Sequence, residues 1–205
     1  MASNHLLRPL IPLFVAAITA AVAVVAAAQT APRELLNSER IAATFGNYGV
    51  TVLEQNAVVR VSSLFSEADE QRTCRTFAIV LYAERIDPSL SAEHAKIVAG
   101  GSIGAVFAAS GWEVRKTHLY YGERAASAKL ASLMHIAAGT PLAEHVYVLD
   151  VVKDGRAIEY AALVEIHHPA YLSLANLAAI YGVPDAGDRR QLLATMLATA
   201  TERVR

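Results

Sequence analysis

A two-residue turn between two long runs of β-forming residues is the feature that most constrains how this chain can fold. The turn is Asp154-Gly155, and the flanking runs are residues 144–152 and 156–167. Asp-Gly is strongly favoured in the type I′ turn because both central positions of that turn need φ > 0. The pattern therefore predicts a long antiparallel β-hairpin in the C-terminal half of the chain.

The remaining segments alternate between strand-like and helical patterns. Further strands are predicted at residues 50–53, 57–65, 73–82 and 112–121. Helices are predicted at residues 33–45, 89–98, 102–111, 126–134, 171–181 and 189–205. Strands that follow one another as hairpins, with helices between them, are typical of an α+β domain. We therefore expect a mostly antiparallel sheet flanked by helices, in a single domain that covers residues 29–205.

Residues 1–28 have the order of regions found in a secretory signal peptide. Arg8 is followed by an apolar run that ends in Ala26-Ala27-Ala28, small residues of the kind that a signal peptidase recognises. We expect cleavage before Gln29 and export of the domain to the periplasm or the extracellular space, with no stable membrane span after cleavage. The alternative is a retained membrane anchor, because the apolar run is just long enough to cross a bilayer.

Charge and motif content exclude several classes of function. The chain has 18 basic and 19 acidic residues and a net charge of −1, which offers no electrostatic basis for binding nucleic acid. Its one cysteine, Cys74, excludes an internal disulfide and a multi-cysteine metal site, and we expect it to be buried. The sequence has no phosphate-binding glycine loop and no HExxH motif. No cofactor is predicted, and the sequence does not determine an oligomeric state.

Two adjacent histidines, His167 and His168, end the second run of the hairpin. Neighbouring strand residues point to opposite faces of a sheet, so these two side chains cannot both bind one ion in regular β-structure. Glu165 is the nearby residue that shares a face with His167. We predict no metal site and expect the two histidines to be structural residues at the end of the strand.

Four stretches of sequence carry a family resemblance. The first is the strand Val58-Val59-Arg60-Val61 together with the strand that returns beside it, Arg75-Thr76-Phe77-Ala78-Ile79-Val80. The second is Gly101-Ser102-Ile103-Gly104-Ala105-Val106-Phe107, and the third is residues 112–122. The fourth is Leu163-Val164-Glu165-Ile166-His167-His168-Pro169. In order and spacing they resemble the chorismate lyase fold, which is shared with the ligand-sensing UTRA domain of many bacterial transcription regulators. The likeness to UTRA domains is strongest over residues 102–171. Chorismate lyases are cytosolic, however, and the last predicted helix is an addition to their pattern.

The resemblance implies a site for a small carboxylate such as chorismate. At the places of Arg60 and Arg75 it implies arginines that hold carboxylates, and at the place of Glu165 it implies a catalytic acid or an orienting group. Arginine suits the first task because its planar guanidinium can bond both oxygens of a carboxylate. On the residues alone, Arg60 could equally be an exposed arginine on a half-solvated sheet, which is the default for this residue type.

The hairpin turn also predicts a pairing between two acids. Counting outward from the turn, Glu144 lies directly opposite Glu165 on one face of the sheet. Two carboxylates so close disfavour double ionisation, so one is expected to keep its proton near neutral pH, as a general acid requires. Glu144 is therefore expected to join Glu165 in the substrate site. The alternative is a bulge in one strand, or two acids that point to solvent.

These observations support hypotheses of different classes. The first, toward which the site residues lean, is an exported chorismate-lyase-like enzyme that binds chorismate or a similar small carboxylate in a closed cavity and eliminates pyruvate to give 4-hydroxybenzoate. The second is a non-catalytic periplasmic domain of UTRA type that binds or senses a small molecule, and a third keeps only the scaffold. One cavity lined by Arg60, Arg75 and Glu165 would favour the enzyme. An Arg60 that points to solvent would favour the binding domain or the scaffold.

Overall fold

The computed structural model describes residues 34–205 of the chain. Every element described below belongs to the compact unit Leu35–Arg205. The predicted signal peptide, residues 1–28, lies outside the described residues. Within residues 34–205, no helix has both the length and the apolar character needed to cross a membrane.

The described residues form six helices and six strands, which lie close to the segments that the sequence patterns predict. The helices are α1 (Asn37–Phe45), α2 (Ser91–Val98), α3 (Ile103–Ala109), α4 (Ala128–Met134), α5 (Leu174–Tyr181) and α6 (Arg190–Arg203). The strands are β1 (Gly49–Gln55), β2 (Val59–Ala68), β3 (Gln71–Tyr82), β4 (Glu113–Ala125), β5 (Pro141–Lys153) and β6 (Arg156–His167). Short 3-10 turns occur at Pro88–Leu90 and Gly187–Arg189.

All six strands belong to one sheet, in the order β1-β2-β3-β6-β5-β4. Every neighbouring pair in this order is antiparallel. The helices pack against the sheet, so the α+β class and the antiparallel sheet that the sequence predicts are confirmed. Strands β3 and β6 lie at the centre of the sheet, where helices cover both faces. Most consecutive residues of these two strands are therefore buried, instead of alternating between buried and exposed.

The two faces of the sheet are covered by different helices. Helices α4 and α6 pack on one face through Leu130, Met134 and Met196, in a cluster that includes Val146 and Val164 of the hairpin strands. The other face is covered in one part by α2 and α3 and in another part by α1 and α5. We call this second face, from which Glu165 projects, the cavity face.

The hairpin turn forms as predicted. Asp154 has a φ of 52° and Gly155 a φ of 79°, which places both residues in the left-handed region that a type I′ turn requires. The turn joins β5 to β6, and the pairs next to it, beginning with Lys153 opposite Arg156, follow the predicted register.

The predicted pairing of Glu144 with Glu165 is wrong, because β6 contains a bulge. The pairing moves by one position at Tyr160, which is an extra residue on β6. A one-residue shift in register carries each later side chain to a different partner and to the opposite face. His145, and not Glu144, therefore lies opposite Glu165.

Glu144 projects instead from the face that α4 and α6 cover. Its carboxylate forms an ion pair with Arg124 of β4 at 2.5 Å, and both side chains are mostly buried. Burial raises the pKa of Glu144, while the neighbouring Arg124 acts in the opposite direction. Glu144 and Glu165 are thus not a carboxylate pair, and Glu144 does not join Glu165 in a common site.

A second bulge displaces Arg75. Thr76 and Cys74 each face a residue of β2, but Arg75 between them has no partner in the register. Its Nε donates a hydrogen bond to Ser66 Oγ at 2.8 Å, and its guanidinium lies 3.9 Å from the centre of the Phe45 ring. The extra residue in β3 turns Arg75 toward these neighbours.

Candidate binding site on the cavity face

The candidate site occupies three neighbouring rows of side chains that cross the sheet. Residues opposite one another in antiparallel strands project on the same side. From β2 through β3 and β6 to β5, the rows are Arg60-Val80-Leu163-Tyr147, Ser62-Ala78-Glu165-His145 and Leu64-Thr76-His167-Ala143. The sheet thereby brings a cation, a carboxylate and two imidazoles onto one surface, although they are far apart in sequence.

A cavity of about 70 Å³ lies between these rows and the first turns of α1 and α3. Its apolar wall includes Leu36, Val80, Leu149 and Leu163. Its polar lining residues include Asn37, Tyr48, Arg60, Ser62, Ser102, Lys116 and Glu165. An apolar wall with a small number of placed polar groups is the usual construction of a site for a small organic molecule.

Arg60 lies at the cavity wall, with only 2% of its surface exposed. Its Nε donates to Ser62 Oγ at 2.9 Å. Its Nη1 donates to the backbone carbonyls of Ile97 at 2.7 Å and Gly101 at 2.9 Å. All three acceptors are neutral oxygen atoms. A buried guanidinium whose hydrogen-bond partners are neutral gains from an opposite charge at bonding distance, so the surroundings of Arg60 favour an anionic ligand.

Glu165 projects from β6 into the same cavity and is 4% exposed. Asn37, at the start of α1, donates from Nδ2 to Glu165 Oε1 at 2.9 Å. The amide oxygen of Asn37 accepts a hydrogen bond from the Tyr171 hydroxyl at 2.6 Å. Burial raises the pKa of Tyr171, so the phenol keeps its proton and can donate it. The position of the Glu165 carboxylate is thus fixed from α1 and from the segment before α5.

Two buried histidines flank Glu165. His145 Nδ1 and His167 Nε2 each lie 3.9 Å from Glu165 Oε2, and their side chains are 0% and 1% exposed. Burial, with the nearby His167 ring as the next cause, lowers the pKa of His145 well below its ordinary value. Burial also lowers the pKa of His167, to about 3, and Lys116 acts in the same direction. Both rings are therefore neutral at pH 7 and do not balance the charge of a carboxylate.

In each of these histidines, the ring nitrogen that faces away from Glu165 contacts a polar side chain. His145 Nε2 is 2.8 Å from His118 Nδ1, and His167 Nδ1 is 3.0 Å from Thr76 Oγ1. These contacts fix both rings and direct the other nitrogen of each toward Glu165. We call His145, Glu165 and His167 the histidine–glutamate cluster. Its imidazole and carboxylate donors are of the types that bind divalent metal ions, and its donor atoms lie within 4.8 Å of one another.

Lys116 of β4 is a second cation at the cavity wall. Its Nζ lies 5.2 Å from the centre of the Tyr147 ring and 5.2 Å from the centre of the Tyr181 ring. Cation–π contacts of this kind stabilise an ammonium group that is partly removed from water. Arg60 and Lys116 therefore place two positive charges on the lining of one cavity.

The cavity brings together two of the four residues that the sequence assigns to a site. Arg60 and Glu165 line it. Arg75 is not among the lining residues because the bulge in β3 turns it toward Phe45, and Glu144 lies on the opposite face of the sheet. The roles in binding and catalysis that the resemblance implies for Arg60 and Glu165 stay predictions.

Cys74, His167 and His168 are the residues predicted to be structural. Cys74 and His168 are not among the lining residues of the cavity, whereas His167 belongs to the histidine–glutamate cluster. Cys74 is 2% exposed, and burial raises the pKa of its thiol to about 11, which keeps it protonated and unreactive at neutral pH. His168 points away from His167. Its Nδ1 accepts a hydrogen bond from the Ala170 backbone N–H at 3.0 Å, and its Nε2 lies 3.1 Å from the Met134 carbonyl oxygen.

Asn37, Lys116 and His145 are among the residues of the site that sequence reasoning missed. Asn37 occupies the first turn of a helix, where asparagine is common for reasons of capping alone. Lys116 lies on an edge strand, where lysine is ordinarily a solvated residue that discourages pairing. His145 could have been found only with knowledge of the bulge at Tyr160, because regular pairing places it on the other face.

No known protein family matches the sequence, and no curated protein is significantly similar to it. Several solved structures share features of the fold. A GntR-family transcriptional regulator from Enterococcus faecalis V583 is 14% identical with a TM-score of 0.39, over 62% of this chain and 93% of that one. The C-terminal domain of the histidine utilization repressor from Pseudomonas syringae pv. tomato is 12% identical with a TM-score of 0.38, over 62% and 95%. A putative transcriptional regulator from Streptomyces coelicolor is 20% identical with a TM-score of 0.32, over 65% and 79%.

A likeness with TM-scores below 0.5 carries no argument about the family or the function of this chain. The α+β class rests on the six-stranded antiparallel sheet itself. The lining residues of the cavity determine which ligands it can bind.

Proposed function

We propose that this protein binds a small carboxylate in the cavity between the sheet and the first turns of α1 and α3, as a non-catalytic domain that binds or senses a small molecule. The observation that carries this proposal is the buried Arg60 at the cavity wall, whose three hydrogen-bond acceptors are all neutral. A carboxylate ligand would supply the opposite charge. Charge-assisted hydrogen bonds between a guanidinium and a carboxylate are about twice as strong as neutral ones.

The rest of the lining supports a ligand with an apolar body. Val80, Leu149 and Leu163 provide an apolar wall beside Arg60, and the Tyr48 hydroxyl lies 3.4 Å from Ser102 Oγ on the side of α3. Burying the body of the ligand against the apolar wall contributes roughly 25 cal/mol per Å² of apolar surface removed from water. The polar groups then determine its orientation and its charge.

The proposal is tested by thermal denaturation of the protein with a panel of small acids. The panel contains benzoate, 4-hydroxybenzoate, butyrate and succinate, each beside its uncharged methyl ester. A ligand that binds only the folded state must raise the melting temperature. We expect at least one acid to do so while its ester does not. If no acid stabilises the protein, or if the esters stabilise it equally, the carboxylate site is contradicted.

A chorismate-lyase-like reaction is the second candidate, because Arg60 and Glu165 line one cavity. The position of Arg75 outside the cavity argues against it, although Lys116 offers a second cation for a substrate with two carboxylates. The test is incubation with chorismate and detection of 4-hydroxybenzoate and pyruvate. Under the enzyme hypothesis, Glu165→Gln abolishes turnover and leaves binding largely intact. Binding without product would favour the non-catalytic domain.

We also propose that the domain acts outside the cytoplasm, on the strength of the signal-peptide pattern in residues 1–28. Mass spectrometry of the protein from its native host should then show a chain that starts near Gln29. A membrane-bound chain that retains Met1 would contradict export by cleavage and would favour an anchor.

A further inference from the structure

The histidine–glutamate cluster combines three donor groups that are deeply buried on one face of the sheet. His145 comes from β5, and Glu165 and His167 come from β6, two residues apart. All three residues are less than 5% exposed. Their donor atoms lie within 4.8 Å of one another, although the function proposed above gives no task to either histidine.

The two histidine nitrogens that face the carboxylate have no hydrogen-bond partner in residues 34–205. These atoms are His145 Nδ1 and His167 Nε2. Buried polar atoms are nearly always hydrogen-bonded, so two such atoms aimed at one carboxylate need an explanation. Both are 3.9 Å from Glu165 Oε2, which is too long for a hydrogen bond. A cation between the three groups would satisfy both histidine nitrogens at once.

The distances suit a metal ion. Zinc binds imidazole nitrogen and carboxylate oxygen at about 2.0–2.2 Å, so the ligand atoms of a tetrahedral site lie about 3.3–3.5 Å apart. The two nitrogen–oxygen separations of 3.9 Å exceed this range by about 0.5 Å, and all three donor atoms lie within 4.8 Å of one another, so the three side chains would close slightly around a bound ion. Each ring presents a nitrogen that can donate its lone pair when the opposite nitrogen carries the proton.

Each donor residue also has a hydrogen-bonding partner at the side-chain atom that faces away from the centre of the cluster. His145 Nε2 contacts His118, His167 Nδ1 contacts Thr76, and Glu165 Oε1 accepts from Asn37 Nδ2. Metal-binding histidines nearly always donate their other N–H to such a partner, which fixes the ring and its tautomer. The outer partners that a metal site needs are therefore already in place on all three residues.

We propose that His145, Glu165 and His167 bind one divalent transition metal ion, and that Zn²⁺ is the ion that this donor set suits best. Two imidazoles and one carboxylate leave a fourth position of a tetrahedral ion open to water or to an exogenous anion. Because Glu165 also lines the cavity, an ion held by the cluster lies at the cavity wall. The open position is therefore within reach of a ligand in the cavity.

The test uses the purified protein without a histidine tag, freed of metal by dialysis against EDTA and then against buffer. Calorimetric titration with Zn²⁺ is expected to give one ion per chain, and Co²⁺ is expected to give the visible absorption of a four-coordinate site. His167→Gln is expected to weaken Zn²⁺ binding by more than about 100-fold, since changes to outer partners alone cost 10–100-fold. The matched control is His94→Gln, because His94 bonds Tyr160 away from the cluster. It is expected to bind Zn²⁺ as the wild type does.

Zinc binding that is unchanged in His167→Gln, or absent from the wild type, would overturn the proposal. If His167→Gln does not fold, anomalous X-ray scattering from zinc-loaded wild-type crystals decides the question. An ion between the two histidines and Glu165 supports the site, and an ion elsewhere, or none, overturns it. The zinc titration needs no carboxylate and the acid panel is run in EDTA, so failure of the carboxylate proposal and failure of the metal proposal are distinguishable.

Discussion

His145 lies directly opposite Glu165 in the β5–β6 pair, and its Nδ1 lies 3.9 Å from a carboxylate oxygen of that residue. The extra residue Tyr160 in β6 creates this relationship. Tyr160 is fully buried on the cavity face, where it packs edge-to-face on Phe107 with ring centres 4.8 Å apart. The bulge is thus held by the core, and it determines that a histidine rather than Glu144 faces the buried acid.

The buried ion pair on the other face gives a prediction about stability. Arg124→Met leaves the Glu144 carboxylate buried and unpaired, so we expect a loss of about 3–5 kcal/mol in the free energy of unfolding. The double variant Arg124→Met/Glu144→Met removes both charges and is expected to be more stable than Arg124→Met alone. Urea unfolding at pH 7 measures both. A double variant no more stable than Arg124→Met would contradict the pairing.

The buried histidines predict that acid destabilises the metal-free protein. The folded pKa values of His145 and His167 are lowered, so below pH 6.5 the unfolded chain binds protons that the folded chain does not. This contribution to the free energy of unfolding is present above pH 6.5 and is lost as the pH falls below it, and for His167 the loss extends to about pH 3. Each histidine contributes a slope that approaches about 1.4 kcal/mol per pH unit.

Urea unfolding at pH 7.0 and pH 5.5, in EDTA, checks this pH dependence. The double variant His145→Gln/His167→Gln should lose less stability between the two pH values than the wild type does. His135→Asn is the matched control, because His135 is an exposed residue in the left-handed conformation that asparagine tolerates. Equal losses in the wild type and the double variant would refute the assignment of the effect to the cluster.

The hairpin turn predicts a cost for a side chain at Gly155. Its φ of 79° is strained for a β-branched residue, so Gly155→Val should lower the free energy of unfolding by roughly 1 kcal/mol or more. Ala157→Val adds the same group at an exposed strand position and should be neutral or slightly stabilising. Both are measured by chemical denaturation. An unchanged midpoint for Gly155→Val would argue against the turn geometry.

The elements of this fold and the antiparallel class of its sheet are predictable from the sequence, because the Asp-Gly turn and the alternation of strand and helix patterns are local signals. The strand order is not, because the pairing of β3 with β6 joins segments that are distant in sequence. The site is less predictable because two single-residue bulges change which side chains meet. The bulge at Tyr160 separates Glu144 from Glu165, and the bulge at Arg75 takes that arginine out of the expected site. Both bulges depend on packing between distant segments, which no local pattern reveals.

The carboxylate site at Arg60 is the central claim, and calorimetric titration with the panel acid that most stabilises the protein tests it most directly. Arg60→Met should weaken binding by about 10–100-fold, since hydrogen bonds to charged groups contribute about 1.5–3 kcal/mol. Arg60→Lys, which keeps the charge, should fall between Arg60→Met and the wild type, and circular dichroism verifies that each variant is folded. Arg75→Met is the matched control on the same sheet and should bind as the wild type does. Undiminished binding by folded Arg60→Met, or an equal loss in Arg75→Met, would contradict the account.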